Sequence, residues 1–499
     1  MQSATLQPRD TSKVTPERRH DGCTECRRKK VKCDLRSPVC SRCTKFPRQC
    51  KYESRFIAVN GPQKRFSRRG AQGKGRGSKS PTPEIEIGTL SSGEAISAPS
   101  LSPSPYDSKI QSRLSIQTLV SETTTVIFPL VSRTFLDRLL SSAMETPHLL
   151  YALLASSDSH ARRRMASTEP SDQTSLRFTN DAINGLRLAL ADGGSARRSV
   201  EMAMTAMALC TNDVCNGNLG LFRMHLEGVR GMLVSGLLNT AGGSSNSGEG
   251  NLFAVYLFKW FAALDVSAGL SLVHKSCLLS GELYSSCQEI LSRTSEGYEE
   301  YVDDICGYSL SLLPILAEIG ELARRRYELS QHTIDMADLS TTIIDINGQA
   351  EALESRIQLL PQPKVPTQDR SELTETELQS THSAFIHTAL LHLHRRVQLL
   401  PKTHQTVRED VHSILETVRK VRPFSTANIL LLWPIFSAGC ETDDLYERGV
   451  IDGRMGNMQS MGMGNFTRAR EVLNLFWDAK TDLRWDVYLA ESGVDLVLF

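Results

Sequence analysis

The sequence predicts a chain in three parts: a small cysteine-rich N-terminal domain, a disordered linker and a large all-α domain. Three observations carry this. Six cysteines crowd between Cys23 and Cys50 in a spacing that repeats. From Ser78 to about Ser112 the composition turns to serine, proline and threonine, which bury too little apolar surface to fold alone. Beyond Leu114 apolar residues recur at helical spacing, while strand-like alternation is scarce. The composition shifts place a disordered tail at 1–20, the cysteine domain at 21–52, the linker at 53–113 and the helical domain at 114–499.

Cys23, Cys26, Cys33, Cys40, Cys43 and Cys50 spell C-x2-C-x6-C twice, joined by a six-residue loop. Two cysteines separated by two residues present both sulfurs to one ion, and a third about two helical turns on can return to it. Each half then supplies three thiolates. Two tetrahedral zinc ions need eight ligand positions, which six thiolates fill only when two of them bridge. The spacing favours one two-zinc cluster over separate fingers. Disulfides would suit a secreted chain, but residues 1–22 are polar and charged and hold no apolar run of the signal-peptide kind. Between the second and third cysteines lie Arg27, Arg28, Lys29, Lys30, Val31 and Lys32, five of them cationic. A basic helix is thus built into the metal site.

The string from Cys23 to Cys33, with Pro38 ahead of Cys40, resembles the fungal Zn2Cys6 binuclear zinc-cluster transcription factors. The resemblance implies that Cys23 and Cys40 bridge two Zn2+ ions, that Cys26 and Cys33 complete one, and that Cys43 and Cys50 complete the other. It also implies a nuclear protein that binds double-stranded DNA and regulates RNA polymerase II transcription. Lys29 and Lys30 would then face the major-groove edges of a CGG-type triplet, flanked by Arg27, Arg28 and Lys32. The chemistry agrees, because a cationic donor suits the O6 and N7 acceptors of guanine.

The formal net charge of +1 conceals a division. Residues 1–80 contain 22 Lys or Arg against 6 Asp or Glu, a net of +16, so the remainder carries about −15. The basic part has the electrostatic footprint of nucleic-acid binding, and the mildly acidic part is ordinary for a soluble body. After Cys50 a second basic stretch includes Lys64, Arg65, Arg68 and Arg69, among glycines too frequent for a helix. It suits sequence-blind phosphate contact, nuclear import, or an inert solvated linker. Between Tyr52 and Ser112 no sustained a/d pattern marks a coiled coil of the kind many zinc-cluster proteins use to dimerise. Monomeric binding and a homodimer through the helical body both stay open.

Within the body the elements follow in order. Phe135, Leu136, Leu139, Leu140 and Ala143 form one stripe, and Thr146-Pro147 opens the next helix as a cap and first-turn proline. Phe178, Ala182, Ile183, Leu186, Ala189 and Leu190 form a third stripe, ended by Gly193-Gly194. The segments Val200 to Cys210, Phe222 to Leu238 and Leu252 to Leu264 read as buried helices. Val407, Val411, Ile414, Leu415, Val418 and Val421 keep the helical period, as do Val472, Leu473, Phe476 and Trp477. Asn239 to Asn251 and Pro361 to Arg370 read as loops, and Gly449 to Gly464, with Met455, Met458, Met461 and Met463, as a flexible stretch. Cys210, Cys215, Cys277, Cys287, Cys306 and Cys440 read as free thiols, and the richest apolar run, Ile429 to Cys440, is too short to span a membrane.

Three segments of the body, His225 to Leu233, Trp260 to Val266 and Leu432 to Cys440, resemble landmarks of the fungal-specific transcription factor domain, in its second variety. The resemblance implies a regulatory domain that meets the transcription machinery or co-regulators and sometimes answers a small molecule. A second reading makes the body a ligand-responsive receptor or protein-interaction scaffold, tethered to chromatin by the cluster. The sequence holds no P-loop, no G-x-S-x-G and no H-E-x-x-H, so no enzyme is expected. His387, His392 and His394, with His382 nearby, lack a carboxylate at ligand spacing and read as surface or partly buried residues. His225 and Asp265 read as a polar pair inside the body.

Overall fold

The computed structural model describes residues 24–29, 31, 33, 40–45, 113–165, 173–192, 196–217, 219, 221–233, 248–271, 298–331, 336–365 and 373–499. The tail 1–20, Cys23, Lys30, Lys32, Cys50, the linker with Lys64, Arg65, Arg68 and Arg69, Cys277 and Cys287 lie outside these residues. The chain divides into two units, Met1–Ser97 and Ala98–Phe499.

The first unit holds two short helices, α1 (Thr24–Arg28) and α2 (Ser41–Lys45). In the second unit a π-helical turn, Leu119–Thr123, leads into α3 (Thr124–Ile127). The helices α4 (Arg133–Glu145), α5 (Pro147–Arg164), α6 (Gln173–Ala191), α7 (Ala196–Cys215), α8 (Phe222–Met232) and α9 (Gly248–Ser271) follow. Then come α10 (Leu312–Gln331), α11 (Met336–Gln358), α12 (Glu375–His392), α13 (Gln405–Arg419), α14 (Leu432–Glu441), α15 (Leu445–Gln459), α16 (Gly464–Ala479) and α17 (Trp485–Ser492). Among the described residues the only strand-like pairing is an isolated bridge between Tyr301 and Lys364.

The stripes seen in the sequence are the faces that the body buries. α4 turns Phe135, Leu136, Leu139 and Ala143 inward, and its start is capped by the Ser132 side chain, which accepts from the Phe135 amide. α13 buries Val407, Val411, Ile414, Leu415 and Val418. At α5, Pro147 occupies the first turn as expected, but the Thr146 side chain makes no capping bond; its carbonyl accepts from the Leu149 and Leu150 amides instead. Within α9, Phe253–Ser271 is long and apolar enough to cross a membrane, yet 83% of its best window is buried inside the body, which marks it as a core helix.

Two expected loops are helical. The stretch Gly449 to Gly464 lies mostly in α15, whose start is capped by Asp444 and which buries Met455 and Met458. The methionines supply core contacts every third residue, and this outweighs the glycines' low helix propensity. The loop expected over Asn239 to Asn251 gives way to α9 from Gly248.

One continuous core runs from Leu119 to Leu498. α5 packs along α6 and α7, α7 meets α8 and α9, and α9 leads to α10. α12 packs on α13 and α14, while α16 lies on α14 and α15 and also returns to α7. Sequence-distant helices therefore share one interior.

Candidate metal centre and nucleic-acid interface

In the first unit the apolar core is made of sulfur. Cys26, Cys40 and Cys43 are buried, with Val31 and Cys33 packed against them. Cys26 lies on α1 and Cys43 on α2, and Cys40 directly precedes α2. The Sγ atoms of Cys26 and Cys40 are 3.7 Å apart, and those of Cys26, Cys33 and Cys40 all fall within 4.8 Å of one another. Two thiolates on one tetrahedral zinc, each at ~2.3 Å, sit about 3.8 Å apart. A disulfide would require ~2.05 Å. The Cys26 to Cys40 separation is thus that of two ligands on one zinc.

The backbone supports the same chemistry. The Cys43 amide donates to Cys40 Sγ at 3.4 Å. That bond lowers the Cys40 thiol below its ordinary pKa, which favours the thiolate a zinc ion requires.

On the outward side of α1, Arg28 and Lys29 are exposed. Glu25 holds Arg28 in a paired arrangement, with Arg28 Nε donating to Oε1 at 3.2 Å and Nη2 to Oε2 at 3.0 Å. This pair went unremarked in the sequence, although glutamate and arginine three residues apart on a helix give the signal for it. Of the basic run, Arg27, Arg28 and Lys29 fall in or just after α1.

A model of the fungal-specific transcription factor domain matches residues 116–499, and one of the fungal Zn(2)-Cys(6) binuclear cluster domain matches residues 21–56. The chain belongs to the fungal-specific transcription factor domain family. Transcription factor rglT from Aspergillus fumigatus, in two strains, is 41% identical over 56 residues. That stretch covers 11% of this chain and 14% of the relative, so the likeness spans a small part of either protein. No solved structure matches. The chain therefore joins a Zn(2)-Cys(6) binuclear cluster domain to a helical domain of the fungal-specific transcription factor family.

His382, His392 and His394 of the helical domain are built into its interior. His392 Nδ1 accepts from Arg396 at 3.1 Å, which leaves Nε2 to donate to Ser437 Oγ at 2.9 Å, and burial holds its pKa well below the ordinary value. His382 Nδ1 accepts from the Ser309 amide at 3.3 Å, and burial brings its pKa down to about 4. His394 Nδ1 bonds Asp410 Oδ2 at 2.6 Å; burial works to lower its pKa, but Asp410 and Glu354 together raise it. The carboxylates that the local spacing lacked arrive from α11 and α13. The expectation of surface or partly buried histidines fails for His382, His392 and His394. The pairing expected between His225 and Asp265 is also corrected: His225 Nδ1 meets Asp213 Oδ2 at 3.1 Å. Both residues face the gap between α7 and α8, a proximity that apolar periodicity does not encode.

Cys210, Cys215, Cys306 and Cys440 are buried thiols. Burial pushes Cys215 up to about 12 and raises Cys210, Cys306 and Cys440 well above the ordinary thiol. They act as small apolar residues.

Proposed function

We propose that this transcription factor is a nuclear regulator of RNA polymerase II transcription that reads CGG-type triplets in the major groove. Cys23, Cys26, Cys33, Cys40, Cys43 and Cys50 hold two zinc ions, which fix the cluster domain and do no chemistry on the DNA. Cys23 and Cys40 bridge them. Arg27, Arg28, Lys29, Lys30 and Lys32 face the duplex, with Lys29 and Lys30 on guanine edges, and Lys64, Arg65, Arg68 and Arg69 add phosphate contact or serve import. The helical domain recruits co-regulators or the transcription machinery and is the surface available for a homodimer.

The observation that carries this reading is the 3.7 Å separation of Cys26 and Cys40 Sγ, with Arg28 exposed at the end of the helix that carries Cys26 and Lys29 exposed directly after it. A thiolate cluster anchors α1 from behind while Arg28 stays exposed to solvent. In the free protein Glu25 occupies Arg28, and a phosphate or guanine would replace that exposed pair at little cost.

The test compares Lys30→Ala with the unsubstituted chain on a CGG-containing duplex and on random duplex. Loss of about 1–3 kcal/mol of discrimination, with random-sequence binding little changed, is expected of a base-reading lysine. Equal loss on both duplexes would reduce Lys30 to a phosphate contact.

A further inference from the structure

We propose that Glu25 is a specificity-determining residue, whose carboxylate accepts a hydrogen bond from the N4 amine of a cytosine in the major groove. The inference rests on the reading of DNA by α1 and adds to it the base that an anion on this helix selects.

Between Cys23 and Cys33, Glu25 is the one acid among five cations. It stands in the first turn of α1, and the Lys29 amide donates to its carbonyl at 3.1 Å. Glu25, Arg28 and Lys29 therefore follow one another at three- and four-residue spacing along one side of a helical turn. The paired bonds from Arg28 Nε and Nη2 place the carboxylate beside a guanidinium whose side chain is 68% exposed. Where Arg28 meets the duplex, Glu25 meets it too. An exposed ion pair adds little to the stability of a five-residue helix, whereas an anion beside DNA phosphates weakens binding to every sequence. That loss is offset only where the carboxylate finds a donor.

The base edges differ in what they offer. Guanine presents N7 and O6 and thymine presents O4, all acceptors that repel a carboxylate. Adenine sets its N6 amine beside the N7 acceptor, and cytosine presents the N4 amine alone. An ionised carboxylate only accepts, so cytosine is the base that suits Glu25. It offers about four acceptor positions, of which Arg28 takes two, so Glu25 accepts the amine whether Arg28 stays or moves to the DNA. Four residues of helix rise about 6 Å and a base step is about 3.4 Å, which sets Glu25 about two steps from Lys29. A CGG-type triplet supplies a cytosine within that distance of its guanines.

The test runs one selection from a random duplex library with the full zinc-loaded chain and with its Glu25→Ala and Glu25→Gln variants. The unsubstituted chain is expected to favour cytosine by about fivefold or more at one position within about two base pairs of an enriched guanine. Glu25→Ala is expected to reduce that preference to about twofold or less. Glu25→Gln is expected to move it to adenine, because a glutamine amide pairs with N6 and N7 together. Guanine enrichment and zinc content stay the same in both variants. An unchanged base profile with a uniform gain in affinity would reduce Glu25 to a group that repels phosphates, and would overturn the proposal. Loss of zinc from both variants would overturn it as well, by assigning Glu25 to the stability of the cluster. An unsubstituted chain that enriches no sequence would contradict the reading of DNA by α1 and the proposal with it.

Discussion

Among the described residues Arg396 is the largest side chain buried completely, and a carboxylate, a carbonyl and an aromatic ring receive its charge. Its Nε donates to Asp486 Oδ2 at 2.8 Å and its Nη1 to the Leu270 carbonyl at 2.5 Å, with the guanidinium 5.3 Å from the Trp485 ring. Arg396→Ala would strip Asp486 of its main counter-charge and is expected to destabilise the domain by about 3–5 kcal/mol in urea denaturation. The double variant R396M/D486L, which removes both charges, should recover much of the loss. His382 offers a pH test of the same interior. Its folded pKa, about 4, lies below the ordinary 6.5, so the unfolded chain takes up the proton first. The stability it contributes is complete above pH 6.5 and is lost as pH falls toward 4. His382→Asn should reduce the loss between pH 6.5 and pH 5 by about 2 kcal/mol, read from tryptophan fluorescence. A variant with the same pH slope would show that His382 is charged in the folded domain. Neither residue could be assigned from the sequence, since Leu270 and Asp486 lie far from Arg396 along the chain.

At the scale of elements, amphipathic helices were legible and their partners were not. The stripes of α4 and α13 could be written down residue by residue, because one buried face imposes a 3.6-residue period. α15 was misread because its glycines suggested a flexible stretch, while its pattern of Met455 and Met458 answered to neighbours that only the fold supplies. The π-helical turn Leu393–Val397, which continues α12, was also invisible; it turns adjacent Arg395 and Arg396 inward, to Glu441 and Asp486. Gly439 shows how tightly two elements meet. A Cβ there would lie 2.8 Å from Leu473 Cδ2 on α16 and 3.2 Å from Ile451 Cγ2 on α15. The Gly439 carbonyl also accepts from Trp477 Nε1 at 2.8 Å. Gly439→Val is expected to cost about 1–3 kcal/mol by overpacking, seen as a lower urea midpoint at an unchanged slope. An unchanged midpoint would mean that α14 and α16 separate easily.

For the whole molecule, the cysteine spacing said most about function. A metal cluster needs fixed residue types at fixed intervals, so its chemistry is written locally, whereas a helical interior is written in contacts hundreds of residues apart. The division of charge belongs to this scale too: a net of +16 in residues 1–80 against about −15 in the rest separates a part with the electrostatic footprint of nucleic-acid binding from a mildly acidic body. The most direct test loads the full chain with zinc, measures its zinc content, and selects bound duplexes from a random library. Two zinc ions per chain, enrichment of CGG triplets, and loss of that enrichment when zinc is chelated are the predicted results. One zinc or none, with no enriched sequence, would contradict the account and leave the helical domain to carry the function.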